Sequence, residues 1–152
     1  MTFPPVETSF YVRYAETDAM GVVHHAVYLV WFEEGRSAYM RACGLPYAEV
    51  ERRGYWFTVA GVRARFLAPA RYGDRVVVQT RLTALGSRGL TFAYEVRRAS
   101  DDALLATGET RHVCVDHSGI VRRIPEDLVR ALHAASTAMA HREHDKRRGG
   151  DS

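Results

Sequence analysis

Asp18 precedes Gly21 by three residues and His25 by seven, and an apolar run opens directly after the histidine. A carboxylate at that spacing sits where an extended chain turns into a helix, beside backbone N–H groups that have no partner within the helix. Those donors lie at the positive end of the helix dipole and favour negative charge. An acid and such donors together suit chemistry on a carbonyl, because one supplies the attack and the others hold the oxygen that becomes negative. Asp18 serves either as a nucleophile, through a mixed anhydride that water opens, or as a general base on water. The sequence leaves both routes open.

The ordinary use of an aspartate before a helix is as a cap or Asx-turn residue. Here the helix begins several residues later than a cap requires, which favours the chemical role. Gly21 suits a turn that leaves the usual dihedral regions or lets a ligand approach the backbone. The His25 side chain is a candidate to orient water, touch a substrate or hold Asp18 ionised; His24 is a lesser candidate, and Tyr28 reads as a pocket wall.

These residues need elements to position them. Residues 9–14 alternate as a strand with Phe10, Val12 and Tyr14 on one face. From about residue 25 to 43 no proline intervenes, and Tyr28, Trp31, Phe32, Gly35, Ala38, Tyr39 and Ala42 recur at the spacing of one helix face, which Gly44 and Pro46 end. The first half of this helix, AVYLVWF, is apolar nearly all round, so it is expected to be buried on most sides. Residues 47–55 predict a shorter polar helix or turn. Strand alternation follows through Val62 to Ala68, Val76 to Leu82 and Leu90 to Val96, then a last strand over 104–116, with hairpin-length connections at 85–89 and 100–102. Pro125 opens a short C-terminal helix to about Met139.

The order predicts an α+β fold, one antiparallel sheet of about five strands curling round one long helix. Its expected organisation is a lead-in over 1–7, one domain over 8–136 and a polar, flexible tail over 137–152. The 152 residues, 47% hydrophobic and 26% charged, fit a single soluble domain. No apolar run approaches the ~18 residues of a membrane span, and MTFPPVETSF lacks the charge and apolar pattern of a leader, so a cytoplasmic protein is expected. The net charge of +3 owes much to HREHDKRR near the end, and the other arginines are scattered along strands, so nucleic acid is not an expected partner. Cys43 and Cys114 lie far apart in apolar contexts without a second ligand at metal spacing, which predicts buried thiols in a reducing compartment and no metal site.

The run TDAMGVVHHAVY at 17–28, supported by PARYGD at 69–74 and GETRHVCVD at 108–116, resembles the hotdog-fold acyl-CoA thioesterases of the 4-hydroxybenzoyl-CoA thioesterase family, and most nearly the Tol-Pal-associated subgroup. The resemblance covers residues 8–135. It implies hydrolysis of an acyl-CoA to free acid and coenzyme A, with Asp18 as nucleophile or base and the His25 backbone N–H as oxyanion donor. It further implies subunits that pair their sheets edge to edge as dimers and tetramers, and no cofactor beyond the coenzyme A of the substrate.

The acyl pocket is expected along Tyr28, Trp31 and Phe32 with Tyr55, Trp56 and Phe57, half of its walls coming from a second subunit. Arg63, Arg65, Arg88 and Arg123 are candidates for the coenzyme A phosphates, Arg88 foremost. Another branch of hotdog enzymes carries its acid on the central helix, but Glu33 and Glu34 are expected to pair with Arg36 and Arg41 instead. Two other readings stand beside hydrolysis: an enoyl or 3-hydroxyacyl thioester hydratase-dehydratase, and a non-catalytic acyl-thioester-binding protein.

Overall fold

In the computed structural model, which describes residues 3–149, strand β1 (Val6–Tyr11) leads through a short 3-10 turn to helix α1 (Val27–Ala42) and the one-turn-and-a-half helix α2 (Tyr47–Arg52). Strands β2 (Tyr55–Phe66), β3 (Arg75–Leu85), β4 (Gly89–Arg98) and β5 (Leu104–Asp116) follow, and helix α3 (Glu126–Arg148) closes the chain. All five strands form one antiparallel sheet in the order β1-β3-β4-β5-β2. The hairpins at 85–89 and 100–102 are as the spacing predicts. β2, however, leaves its sequence neighbour β3 and pairs with β5, which makes it an edge strand of 12 residues.

Helix α1 lies on the concave face of this sheet. Its buried residues, Tyr28, Trp31, Phe32, Gly35, Tyr39 and Met40, form one stripe, and the sheet answers with the inward residues Val76, Val78, Thr80, Phe92, Tyr94, Val96 and Ala106. Two glycines set the depth of the contact. A Cβ at Gly108 would strike the ring of Phe32, and one at Gly35 would strike Thr80 and Val78. With those side chains absent, Phe32 stacks on Tyr94 at 4.4 Å and 12°.

The opposite face of α1 departs from expectation. Leu29 and Val30 are exposed, because a single sheet covers only one side of the helix. The ion pairs expected of Glu33 and Glu34 are also absent among the described residues. Arg36 instead lies beside the phenol oxygens of Tyr47 and Tyr94. Helix α3 runs 23 residues, past the expected end near Met139 and through residues read as tail. Its charged sequence is alanine-rich upstream and meets no glycine or proline before Gly149, so nothing in it stops the helix.

Under α1 a short polar chain is sealed in the core: Tyr94 Oη lies 2.6 Å from Thr110 Oγ1, which lies 2.8 Å from His112 Nε2. Burial and the nearby Arg36 push the His112 imidazole down to about 4. The unfolded chain therefore binds this proton near the ordinary value of 6.5 and the folded chain only near 4. Between those values the unfolded state holds more protons, so stability falls as the pH drops through that window. Urea midpoints should decline between pH 6.5 and 4.5 in the wild type, and the decline should be shallower in His112→Gln.

Candidate active site

Beyond β1, Val12 donates to the Asp74 carbonyl at 2.8 Å, and the chain folds through the 3-10 turn Tyr14–Glu16. A bridge between Thr17 and Val23 closes a small loop. Inside it the Asp18 N–H donates to Val22 O at 2.8 Å and the Gly21 N–H to Asp18 O at 3.0 Å. Gly21 has φ 77, the left-handed region that glycine enters without a steric penalty. Asp18 Oδ1 accepts from the Met20 N–H at 2.8 Å. The aspartate thus caps its own turn rather than the helix, and Oδ2 has no hydrogen-bond partner among the described residues.

The approach to α1 uses up its donors one by one. The His24 N–H donates to Glu16 O at 3.0 Å, and the Ala26 N–H donates to His24 Nδ1 at 3.1 Å. The Val27, Tyr28 and Leu29 N–H groups turn back to the carbonyls of His24, His25 and Ala26. The His25 N–H, between these, donates to no group among the described residues. Its imidazole is exposed, stacked on that of His24 at 4.2 Å and 6.3 Å from the Phe66 ring. His25 also lines a groove of about 330 Å³ with Val22, Val23, Tyr28 and the residues 66–69 that follow along β2. Asp18 is not among the residues that line this groove; its backbone N–H donates to the carbonyl of Val22, which is.

Of the remaining expected residues, Tyr28 is buried, 5.2 Å from Phe66, and burial raises its phenol above the ordinary range. Trp31 does not reach the groove. It is fully buried, and its indole N–H donates to Glu16 Oε2 at 2.9 Å. Arg88 is exposed in the β3–β4 turn, whereas the Asp18 loop follows the end of β1 that pairs with the start of β3, Tyr11 opposite Arg75. The length of β3 separates them, on the order of 30 Å at ~3.3 Å per residue.

The same separation applies to a larger cavity of about 600 Å³, lined by Glu33, Arg36, Tyr47, Tyr55, Trp56 and Phe57. Of the aromatic residues expected in an acyl pocket, Tyr55, Trp56 and Phe57 are therefore together, at the far end of the sheet from Asp18. Tyr28 instead lines the His25 groove, and Trp31 and Phe32 are buried in the core. The buried Glu16 and the β2 residue Phe66 are the site residues that the sequence reading missed. An Arg13-x-x-Glu16 spacing, that of a capping box, was the available signal for the first.

A long helix packed on one antiparallel sheet in the order β1-β3-β4-β5-β2 defines the hotdog class of α+β protein. The model of the thioesterase-like superfamily matches residues 12–132, and the chain belongs to that superfamily. YneP of Bacillus subtilis is 35% identical over 105 residues, 69% of this chain and 75% of that protein. The acyl-CoA thioester hydrolase YbgC of Escherichia coli O6:H1 is 31% identical over 119 residues, 78% of this chain and 88% of that one. Among solved structures, the hypothetical protein TT1821 of Thermus thermophilus is 50% identical and superposes with a TM-score of 0.80 over 85% of this chain and 98% of its own.

Nothing lies within 4 Å of where a Gly21 side chain would stand, so a substitution there tests backbone strain alone. Gly21→Ala should lose about 1–2 kcal/mol of stability in urea denaturation, the cost of the left-handed region for an L-residue. A loss under about 0.5 kcal/mol, the range of an ordinary surface change, would show that the turn relaxes freely.

Proposed function

We propose that this protein hydrolyses acyl-CoA thioesters. The observation that carries the proposal is the His25 N–H at the start of α1, which has no hydrogen-bond partner among the described residues, seven residues after an Asp18 carboxylate engaged through Oδ1 alone. The thioester oxygen lies against that N–H, which stabilises the negative charge of the tetrahedral intermediate. Attack comes from Asp18 itself or from a water that Asp18 deprotonates, and the thiolate of coenzyme A leaves. On the first route the resulting anhydride is opened by water. Coenzyme A enters as part of the substrate, and the protein groups and water complete the reaction.

The names of the YbgC relatives support this reading, and the run at 17–28 resembles the 4-hydroxybenzoyl-CoA thioesterase family, most nearly its Tol-Pal-associated subgroup. Two free thiols suit a cytoplasmic setting. Among the described residues no helix is long and apolar enough to cross a membrane.

The working unit on this reading is at least a dimer. β2 is a long open edge, and Trp56, Val59, Val62 and Phe66 are exposed along it, the arrangement that invites pairing with another strand. Antiparallel self-pairing centred on the irregularity between Val59 and Gly61 sets Phe66 beside the partner's Tyr55. The groove at His25 then opens toward the partner's aromatic cavity, which takes the acyl group. The partner's Arg88 turn lies at that same end, and two such dimers make the tetramer.

Replacing Asp18 by Asn should lower kcat for thiol release from acyl-CoA by about 10²–10⁴-fold; a loss below tenfold would overturn the assignment. Appearance of ¹⁸O in the Asp18 carboxyl group after one turnover in H₂¹⁸O would establish the nucleophilic route, since a general base is not itself labelled; this requires water to open the anhydride at the Asp18 carbonyl. Sedimentation should give a multiple of the 17.1 kDa chain mass. Val59→Lys combined with Val62→Lys should yield a folded monomer without thiol release, and an active monomer would exclude the shared pocket.

A further inference from the structure

We infer that Glu16 is a positioning residue, which holds the Asp18 carboxylate and the His25 N–H at a fixed separation by tying both flanks of the loop to helix α1. The inference rests on the thioesterase reading of Asp18 and His25.

Glu16 is 7% exposed, an unusual place for a carboxylate that its own sheet does not need. Every contact it makes leads to one side of the site. Oε1 accepts from the Arg13 N–H at 2.8 Å, which fixes the turn where the chain leaves β1. Oε2 accepts from the Trp31 indole N–H at 2.9 Å, one turn into α1. Its backbone carbonyl takes the His24 N–H at 3.0 Å, directly before the oxyanion donor. Asp18 follows two residues later, inside the loop that Thr17 and Val23 close.

One residue is therefore hydrogen-bonded to the helix, to the approach to Asp18 and to the approach to His25. The Trp31 end is rigid, since that ring is fully buried and packed between Phe10 at 5.6 Å and Tyr28 at 4.8 Å. Both carboxylate bonds are charge-assisted and shielded from water, which makes them strong and directional. The Arg13 guanidinium, at 3.4 Å and largely exposed, adds little.

An alternative role for Glu16 is that of a buried cap that only stabilises the turn. The two roles differ in what they do to the folded enzyme. A stabilising cap changes how much protein is folded; a positioning residue changes kcat in the molecules that are folded, because a displacement near 1 Å in a reacting pair costs about 10²-fold.

Glu16→Ala, Glu16→Gln and Trp31→Phe are assayed by thiol release, with the folded fraction measured by circular dichroism at the assay temperature and Asp18→Asn run alongside. Per folded molecule, Glu16→Ala should lose about 10²-fold in kcat with KM within about threefold. Glu16→Gln keeps one acceptor and should recover much of that loss, and Trp31→Phe, which removes the donor, should lose about tenfold. Combined with Glu16→Ala, Trp31→Phe should cost less than the product of the single effects, since both break the same bond.

The inference is overturned if folded Glu16→Ala keeps kcat within threefold of wild type, or if its loss falls on KM. Asp18→Asn separates the two levels of the argument. An inactive Asp18→Asn beside an active Glu16→Ala refutes only the positioning role, whereas activity in both refutes the thioesterase site itself.

Discussion

The depth at which α1 sits in its sheet governs the rest of the molecule. Phe32 can lie flat on Tyr94 only because residue 108 has no side chain, and α1 can close on Thr80 and Val78 only because residue 35 has none. Around these two gaps the buried Trp31, Phe32, Phe92 and Met40 are each worth about 1.5–3 kcal/mol of transfer free energy. Packed interiors tolerate little change in volume, so this seating fixes the helix along its whole stripe. A helix fixed along its length also has a fixed N-terminus.

That N-terminus is the candidate site, and its donors are allotted by the chain that enters it. His24 spends its ring nitrogen on the Ala26 N–H and its own N–H on Glu16. The first helical N–H groups turn back on the preceding carbonyls. His25 is left holding a free N–H without any unusual strain, through ordinary hydrogen-bond geometry. Asp18 is held by a glycine turn rather than by the helix, so its second oxygen keeps no hydrogen-bond partner among the described residues.

The sheet order explains why so much apolar surface remains open. β2 crosses over to pair with β5, which leaves its outer edge and the outward face of α1, Leu29 and Val30, without cover. It also puts the aromatic cavity at one end of the sheet and the Asp18 loop at the other. The second copy proposed along β2 would cover that edge and bring its aromatic cavity toward the His25 groove.

The strands, the central helix and its buried stripe followed from period and breakers alone, because a residue's burial side along one element depends only on local geometry. That Asp18 and Gly21 share one closed turn ahead of His25 was also legible, since the loop that joins them is short. What lies across the fold was not. The pairing of β2 with β5, the distance of Arg88 from Asp18 and the withdrawal of Trp31 from the groove to Glu16 each depend on which strands become neighbours. Period says which face of a strand is buried, but it carries no record of the partner across a long connection. The extent of α3 failed for a different reason, in that a charged composition resembles a tail while its helix propensity runs on to Gly149. From the sequence came the candidate groups and the elements that carry them; tertiary structure alone decided which segments meet, because contact between distant segments is set by sheet order and packing depth.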